Sequence, residues 1–249
     1  MTATTKPVLL LIPGMLNTAA VWDGVAAALA AEADVRIADV TTQDSIAAMA
    51  RDAAGRIADV PATTPLAVCG FSMGGYTAIE MVAGDTAPGR RPDALALLST
   101  SARPETDEGR AMREKTIAAI GRDFGKVIQG VATFGTAEAT HADAALMGRI
   151  LEMMRAVGPE AAIRQNRAIA ARADRREQLA QLAGLPTLVM CGREDRITPP
   201  PLSEELAALL PRARLEWIDA AGHMTPMEAA PRVAGLLRDL LGQARPAPG

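Results

Sequence analysis

Six strand-length runs recur along this chain, separated by stretches with helical periodicity. Residues 8–12, Val-Leu-Leu-Leu-Ile, are continuously apolar, as expected of a strand buried on both faces of a parallel sheet. Residues 34–38, 66–71, 94–99, 186–192 and 214–219 supply the other five. Between them, apolar positions return at the spacing of one helical face. Val21, Trp22, Val25 and Leu29 follow Thr18, which can cap a helix. Ile46, Met49, Ala53 and Ile57 share a side within residues 44–59, and a helix opens after residues 72–76. Leu202, Leu206, Leu209 and Leu210 follow a proline run, and Val233, Leu236, Leu237 and Leu240 face inward from residues 226–241. This alternation predicts βαβ units, and hence an α/β fold with a mostly parallel central sheet flanked by helices.

The alternation stops between residues 104 and 183. That stretch shows only helical segments, broken at Gly121, Gly125, Gly135 and Gly158-Pro159, with charges dominating residues 105–115 and 164–177. The expected organisation is an α/β core in two parts, residues 1–102 and 184–249, with a helical lid of residues 103–183 lying over the sheet's carboxyl edge. Residues 1–6 read as a loose leader, residues 84–89 as a loop, and the Pro- and Ala-rich residues 242–249 as a disordered tail.

The totals narrow the classes. A chain of 249 residues can bury one large core. A formal charge of −3 leaves no basic footprint for nucleic acid or anionic lipid. The apolar run at residues 8–12 is too short for a signal-peptide core or a membrane span. Cys69 and Cys191 each end an apolar run and read as buried thiols in a reducing compartment. A cytoplasmic protein is expected, with no nucleic-acid or membrane partner; its oligomeric state is not legible.

One stretch carries candidate chemistry. Leu66 to Phe71 leads into Gly70-x-Ser72-x-Gly74 and then a helix. This is the pattern of a sharp strand-to-helix turn that lifts a serine hydroxyl above the sheet edge. A serine hydroxyl needs a base within about 2.6–3.2 Å, and histidine is suited to accept and return its proton near neutral pH. The chain has two histidines. His141 lies amid Ala139-Thr140-His141-Ala142-Asp143 and reads as a solvent-facing helical residue, whereas His223 follows the last strand, where a base serving Ser72 would have to be. A carboxylate that fixes the imidazole should complete the set. Asp195, just past the 186–192 strand, is favoured over its rivals Glu194 and Asp219. Arg193 and Arg196 beside it admit the plainer reading of surface ion pairs. No dinucleotide fingerprint, phosphate loop or zinc-ligand spacing is present, so no cofactor or metal is expected.

The order Ser72, Asp195, His223 resembles that of the α/β-hydrolase superfamily. Gly192-x-x-Asp195-x-x-x-Pro199 looks like its acid loop, and Gly222-His223-x-x-x-x-Glu228 with Pro231 looks like its histidine loop. Pro13-Gly14-Met15 through Trp22 resembles the loop after its first central strand, with Pro13 standing where histidine is usual. The resemblance runs from residue 8 to about residue 241 and identifies the superfamily rather than a member. It implies an oxyanion hole from the backbone N–H groups of Met73 and Met15, with Leu16 the neighbouring option for the second.

The expected activity is hydrolysis of a small carboxylic ester or lactone through an acyl-enzyme on Ser72, with a small-molecule acyl substrate and water as partners. A carbon–carbon bond hydrolase or lyase of the same fold is the alternative within enzymes. A slow-turnover ligand-binding receptor is the alternative outside them. Met15, Met73, Met147, Met153, Met154, Met224 and Met227 are offered either as an adaptable apolar pocket or as core filler.

Overall fold

The computed structural model describes residues 6–84, 90–182 and 184–245. Most of the expected leader, all but Gly84 of the 84–89 loop and the last four residues of the tail therefore lie outside the described residues. Strands β1 (Val8–Ile12), β2 (Asp34–Ile37), β3 (Leu66–Phe71), β4 (Ala94–Leu98), β5 (Thr187–Gly192) and β6 (Ala213–Ile218) form one parallel sheet in the order β2-β1-β3-β4-β5-β6. The chain steps outward from β1 to β2, then returns to β3 and proceeds the other way. The reversal falls between β1 and β3, and their carboxyl ends are where an open α/β sheet leaves a crevice for ligands.

The period of two along each strand sorts the core into two layers. Leu9, Leu11, Cys69, Phe71, Ala96, Leu98 and Met190 face one side and meet α1 (Asp23–Leu29) and a long C-terminal helix. Leu10, Ile12, Val68, Leu95, Leu97 and Val189 face the other and meet α2 (Ile46–Gly55) and α3 (Met73–Ala83). Both faces are covered, which is why the central runs contain almost no polar residue. Cys69 and Cys191 are buried and free, and burial raises both thiol pKa values, that of Cys191 to about 12.

Between β4 and β5 the described residues hold helices only: α4 (Asp107–Arg122), α5 (Phe124–Gly135), α6 (Glu138–His141), α7 (Ala144–Val157), α8 (Pro159–Ala170) and α9 (Arg176–Ala180). Thr106, Asp123 and Asp143 accept from backbone N–H groups three residues on and start α4, α5 and α7. Ile120, Ile128, Leu146, Ile150, Met153 and Met154 give the segment an apolar underside that joins the first core layer. None of the described helices is long and apolar enough to cross a membrane.

After β5, α10 (Pro200–Leu209) packs on β5 and β6. The helix expected over residues 226–241 is divided into α11 (Thr225–Glu228) and α12 (Ala230–Leu241). Pro231 has no N–H to give the carbonyl four residues back, so the helix restarts with proline in its first turn. The expected disorder of the tail does not extend to residues 242–245. Ala244 is fully buried in the first core layer, and its N–H reaches the carbonyls of Leu240 and Leu241.

Candidate active site

Four non-glycine residues with positive φ occur among the described residues: Leu16 (60°), Ser72 (52°), Ser99 (50°) and Ala220 (51°). Each lies within a few positions of the carboxyl end of a strand, so backbone strain gathers along one edge of the sheet. Ser72 (ψ −116°) is held in place from three sides. Its N–H donates to Leu98 O at 2.9 Å, and its carbonyl accepts from Gly75 N–H and from the Thr100 hydroxyl, both at 2.8 Å. Two glycines make the turn possible. A Cβ on Gly70 would stand 2.2 Å from Gly74 O, and one on Gly74 would stand 2.2 Å from Ile12 O.

The acid and histidine loops close onto this turn. A Cβ on Gly192 would lie 2.1 Å from Gly222 O, so the two loop backbones touch where those glycines sit. His223 Nε2 lies 2.9 Å from Ser72 Oγ. Its Nδ1 lies 2.9 Å from Asp195 Oδ2 and 3.1 Å from Oδ1. Ser72, His223 and Asp195 thus form one hydrogen-bonded chain assembled from three loops. Asp195 and His223 are 3% and 5% exposed, so the chain is shielded from competing water except toward Ser72. The rival acids are elsewhere: Glu194 is exposed and accepts from Glu138 N–H, and Asp219 pairs with Arg193 at the surface. Arg196 stacks on Phe134 and also stays off Asp195. His141 is exposed, with Nε2 3.0 Å from Thr133 O.

Asp195 is the best supported carboxylate of the site. Burial opposes its ionisation most strongly. The His223 charge, the hydrogen bond with His223 and those from the Thr198 N–H and hydroxyl outweigh that effect and lower its pKa. The Thr198 hydroxyl donates to Asp195 Oδ2 at 2.8 Å, and the Ile197 and Thr198 N–H groups donate to Oδ1 at 2.9 and 2.8 Å. Sequence reasoning missed Thr198, although a threonine three residues after an aspartate is a common local hydrogen-bonding pattern. Glu228 belongs to the histidine-loop pattern, which by itself assigns it no partner. Its carboxylate accepts from Gly222 N–H, Ala137 N–H and the Thr140 hydroxyl, tying the histidine loop to the inserted helices. Gln165 was missed too: its Oε1 accepts from Leu16 N–H at 3.0 Å across 149 positions, and no local signal announces such a contact.

Among the described residues the N–H groups of Met15 and Met73 donate to no other group. Met15 also lines a cavity of about 880 Å³ between α4 and α5, together with Arg113, Val127, Val131, Phe134 and Ile197. Ser72 and His223 do not line it; of its members, Ile197 gives its N–H to Asp195, and Met15 follows Gly14, which packs against Ser72. The large apolar side chains most exposed among the described residues, Met112, Phe134 and Ile197, all lie on this cavity. Of the offered methionines only Met15 faces it; Met73, Met153, Met154 and Met224 are core.

A model of the alpha/beta hydrolase family matches residues 9–236. The chain belongs to that family. It is 31% identical over 187 residues to a pimeloyl-[acyl-carrier protein] methyl ester esterase of Neisseria meningitidis serogroup A, which covers 72% of this chain and 57% of that relative. The matched part therefore spans little more than half the relative's length. A shorter stretch of 58 residues, 23% of this chain and 21% of the relative, is 45% identical to a 2-hydroxymuconate semialdehyde hydrolase of Pseudomonas putida. A thermophilic esterase from Thermogutta terrifontis superposes with a TM-score of 0.83 at 28% identity, covering 97% of this chain and 91% of that one.

Proposed function

We propose that the chain is a serine esterase that cleaves a short- or medium-chain carboxylic ester or lactone through an acyl-enzyme on Ser72. One observation carries the reading: the unbroken run of hydrogen bonds from Ser72 Oγ through His223 to Asp195. In this mechanism His223 Nε2 takes the Ser72 proton as Oγ attacks the ester carbonyl. The negative oxygen that forms is held by the N–H groups of Met15 and Met73, neither of which donates to another described group. Collapse expels the alcohol, which leaves with the proton from His223. Water, activated by the same imidazole, then releases the acid. Met15 is preferred over Leu16 as the second donor because the Leu16 N–H is already engaged by Gln165.

The inserted helices serve as the lid, and the cavity between α4 and α5 receives the apolar part of the substrate. The esterase names of two relatives over most of this chain support ester cleavage; the 2-hydroxymuconate semialdehyde hydrolase name attaches to a much shorter match. Assay on p-nitrophenyl acetate and butyrate tests the reading. Ser72→Ala should lower kcat by at least about 10³-fold with an unchanged melting temperature. Turnover that survives the substitution would remove Ser72 from the chemistry. Tight ester binding with negligible wild-type turnover would favour a receptor instead.

A further inference from the structure

Leu16 holds an uncommon backbone conformation, φ 60°, in the loop that carries the Met15 N–H. A non-glycine residue stays there only where its surroundings fix it. The loop itself contributes a buried Leu16 side chain and a turn bond from Asn17 N–H to Gly14 O at 3.3 Å; the Asn17 carboxamide is 1% exposed, and among the described residues neither its nitrogen nor its oxygen finds a partner. Two inserted helices reach the loop: Arg113 Nη1 of α4 lies 4.0 Å from Met15 Sδ, and α8 supplies a side-chain bond to its backbone. Gln165, fully buried, accepts from Leu16 N–H through Oε1 at 3.0 Å and donates from Nε2 to Val40 O at 3.0 Å. Each end of the amide meets its complement, so the group cannot rotate by half a turn without losing both bonds. Neighbours on the same helix bind elsewhere: Arg164 donates to Thr41 O, and Asn166 accepts from Arg113.

We infer that Gln165 is a positioning residue for the oxyanion site. By pinning the Leu16 N–H it sets the peptide plane between Met15 and Leu16. The Met15 N–H belongs to the preceding Gly14–Met15 peptide, and the two planes share the Met15 Cα, so holding the second limits how far the first can turn away from the carbonyl under attack. The oxyanion site is complete only when α8 is seated on the core, so the inserted helices contribute to the chemical step as well as to the cavity wall. This rests on the esterase reading above.

The test compares Gln165→Leu, Gln165→Glu and, as a control that frees only Thr41 O, Arg164→Ala. With p-nitrophenyl butyrate, Gln165→Leu should lower kcat roughly 10- to 100-fold while KM moves less than about twofold. Affinity for a trifluoromethyl ketone, whose adduct carries the oxyanion, should fall by the same factor. Arg164→Ala should leave both near wild type. In Gln165→Glu a neutral carboxyl reproduces donor and acceptor, whereas a carboxylate faces Val40 O with a second acceptor. Its kcat relative to wild type at each pH should therefore rise as pH falls from 8 to 6. A folded Gln165→Leu with wild-type kcat and inhibitor affinity would overturn the inference. Should Gln165→Leu fail to fold, a pH-independent ratio for Gln165→Glu would do the same. A wild-type chain inert to every ester would overturn the esterase reading along with it.

Discussion

The carboxyl edge of the sheet and the inserted helices answer differently to the same question: what would an extra methyl group meet? At Gly70 and Gly74 it would meet backbone oxygen at 2.2 Å, and backbone cannot move aside as a flexible side chain can. In the inserted helices it would meet nothing within 4 Å at Gly121, Gly130 and Gly148, and at Gly109 and Gly135 it would meet first the side-chain ends of Glu105 and Ile197. The two regions also differ in what fastens them. The sheet edge is held by close backbone contact and ladder hydrogen bonds. The insertion adds to its apolar underside a set of half-buried charges: Glu105 binds Arg113 at 2.5 Å and Arg172 at 3.0 Å, and Glu80 of α3 takes Arg175 through both oxygens at 2.8 and 2.9 Å. The chemistry thus sits on a frame that tolerates almost no change in shape. The pocket is built from pieces whose attachments are discrete and replaceable one at a time.

The contrast can be broken first at the rigid end. Gly74→Ala should destabilise the fold by about 3 kcal/mol or more, because the clash is between main-chain groups. Loss of soluble protein or a large fall in melting temperature would register it, and a near-wild-type melting temperature would show that the edge yields. Glu105→Ala should cost less, about 1–3 kcal/mol, since it takes the carboxylate from two guanidinium groups, of which Arg172 is 8% exposed, while Arg172 keeps the Arg103 and Ile169 carbonyls and Arg113 keeps the Asn166 Oδ1. Its effect should be local, read as faster hydrogen exchange in α4. The pH dependence has a definite sign. Burial opposes the Glu105 charge most, but Arg172 and Arg113 more than offset it and lower its pKa below the ordinary value of 4.5. The contribution is therefore present in full above that ordinary value and is lost as pH falls through the lower folded value. Glu105→Gln should lose that acid sensitivity in the exchange of α4. The smallest effect is expected at the tolerant end: Gly148→Ala, mid-helix and exposed in α7, should stabilise by about 0.5–1 kcal/mol with activity unchanged.

Most of the fold was legible because its signals are local. A buried strand announces itself by an apolar run and an elbow by two glycines around a serine, so the six strands and the turn at Ser72 fall where the pattern puts them. Errors arise where local pattern competes with a backbone constraint or a distant partner. Residues 226–241 carry a continuous helical stripe, yet Pro231 forces a restart. The tail's Pro- and Ala-rich composition hides the place that Ala244 finds in the core.

The sequence by itself determined the sheet, the elbow, the helical insertion and the three loops that bring hydroxyl, imidazole and carboxylate to one edge. Periodicity and glycine spacing act over a few residues and can be read there. Only the tertiary structure decided that Asp195 rather than Glu194 or Asp219 meets His223. It alone showed that Thr198 and Glu228 brace the two loops, and that a glutamine 149 positions away takes the Leu16 N–H. Those choices depend on which groups become neighbours after the chain has folded. A single hydrogen bond between distant residues leaves no periodic trace along the chain.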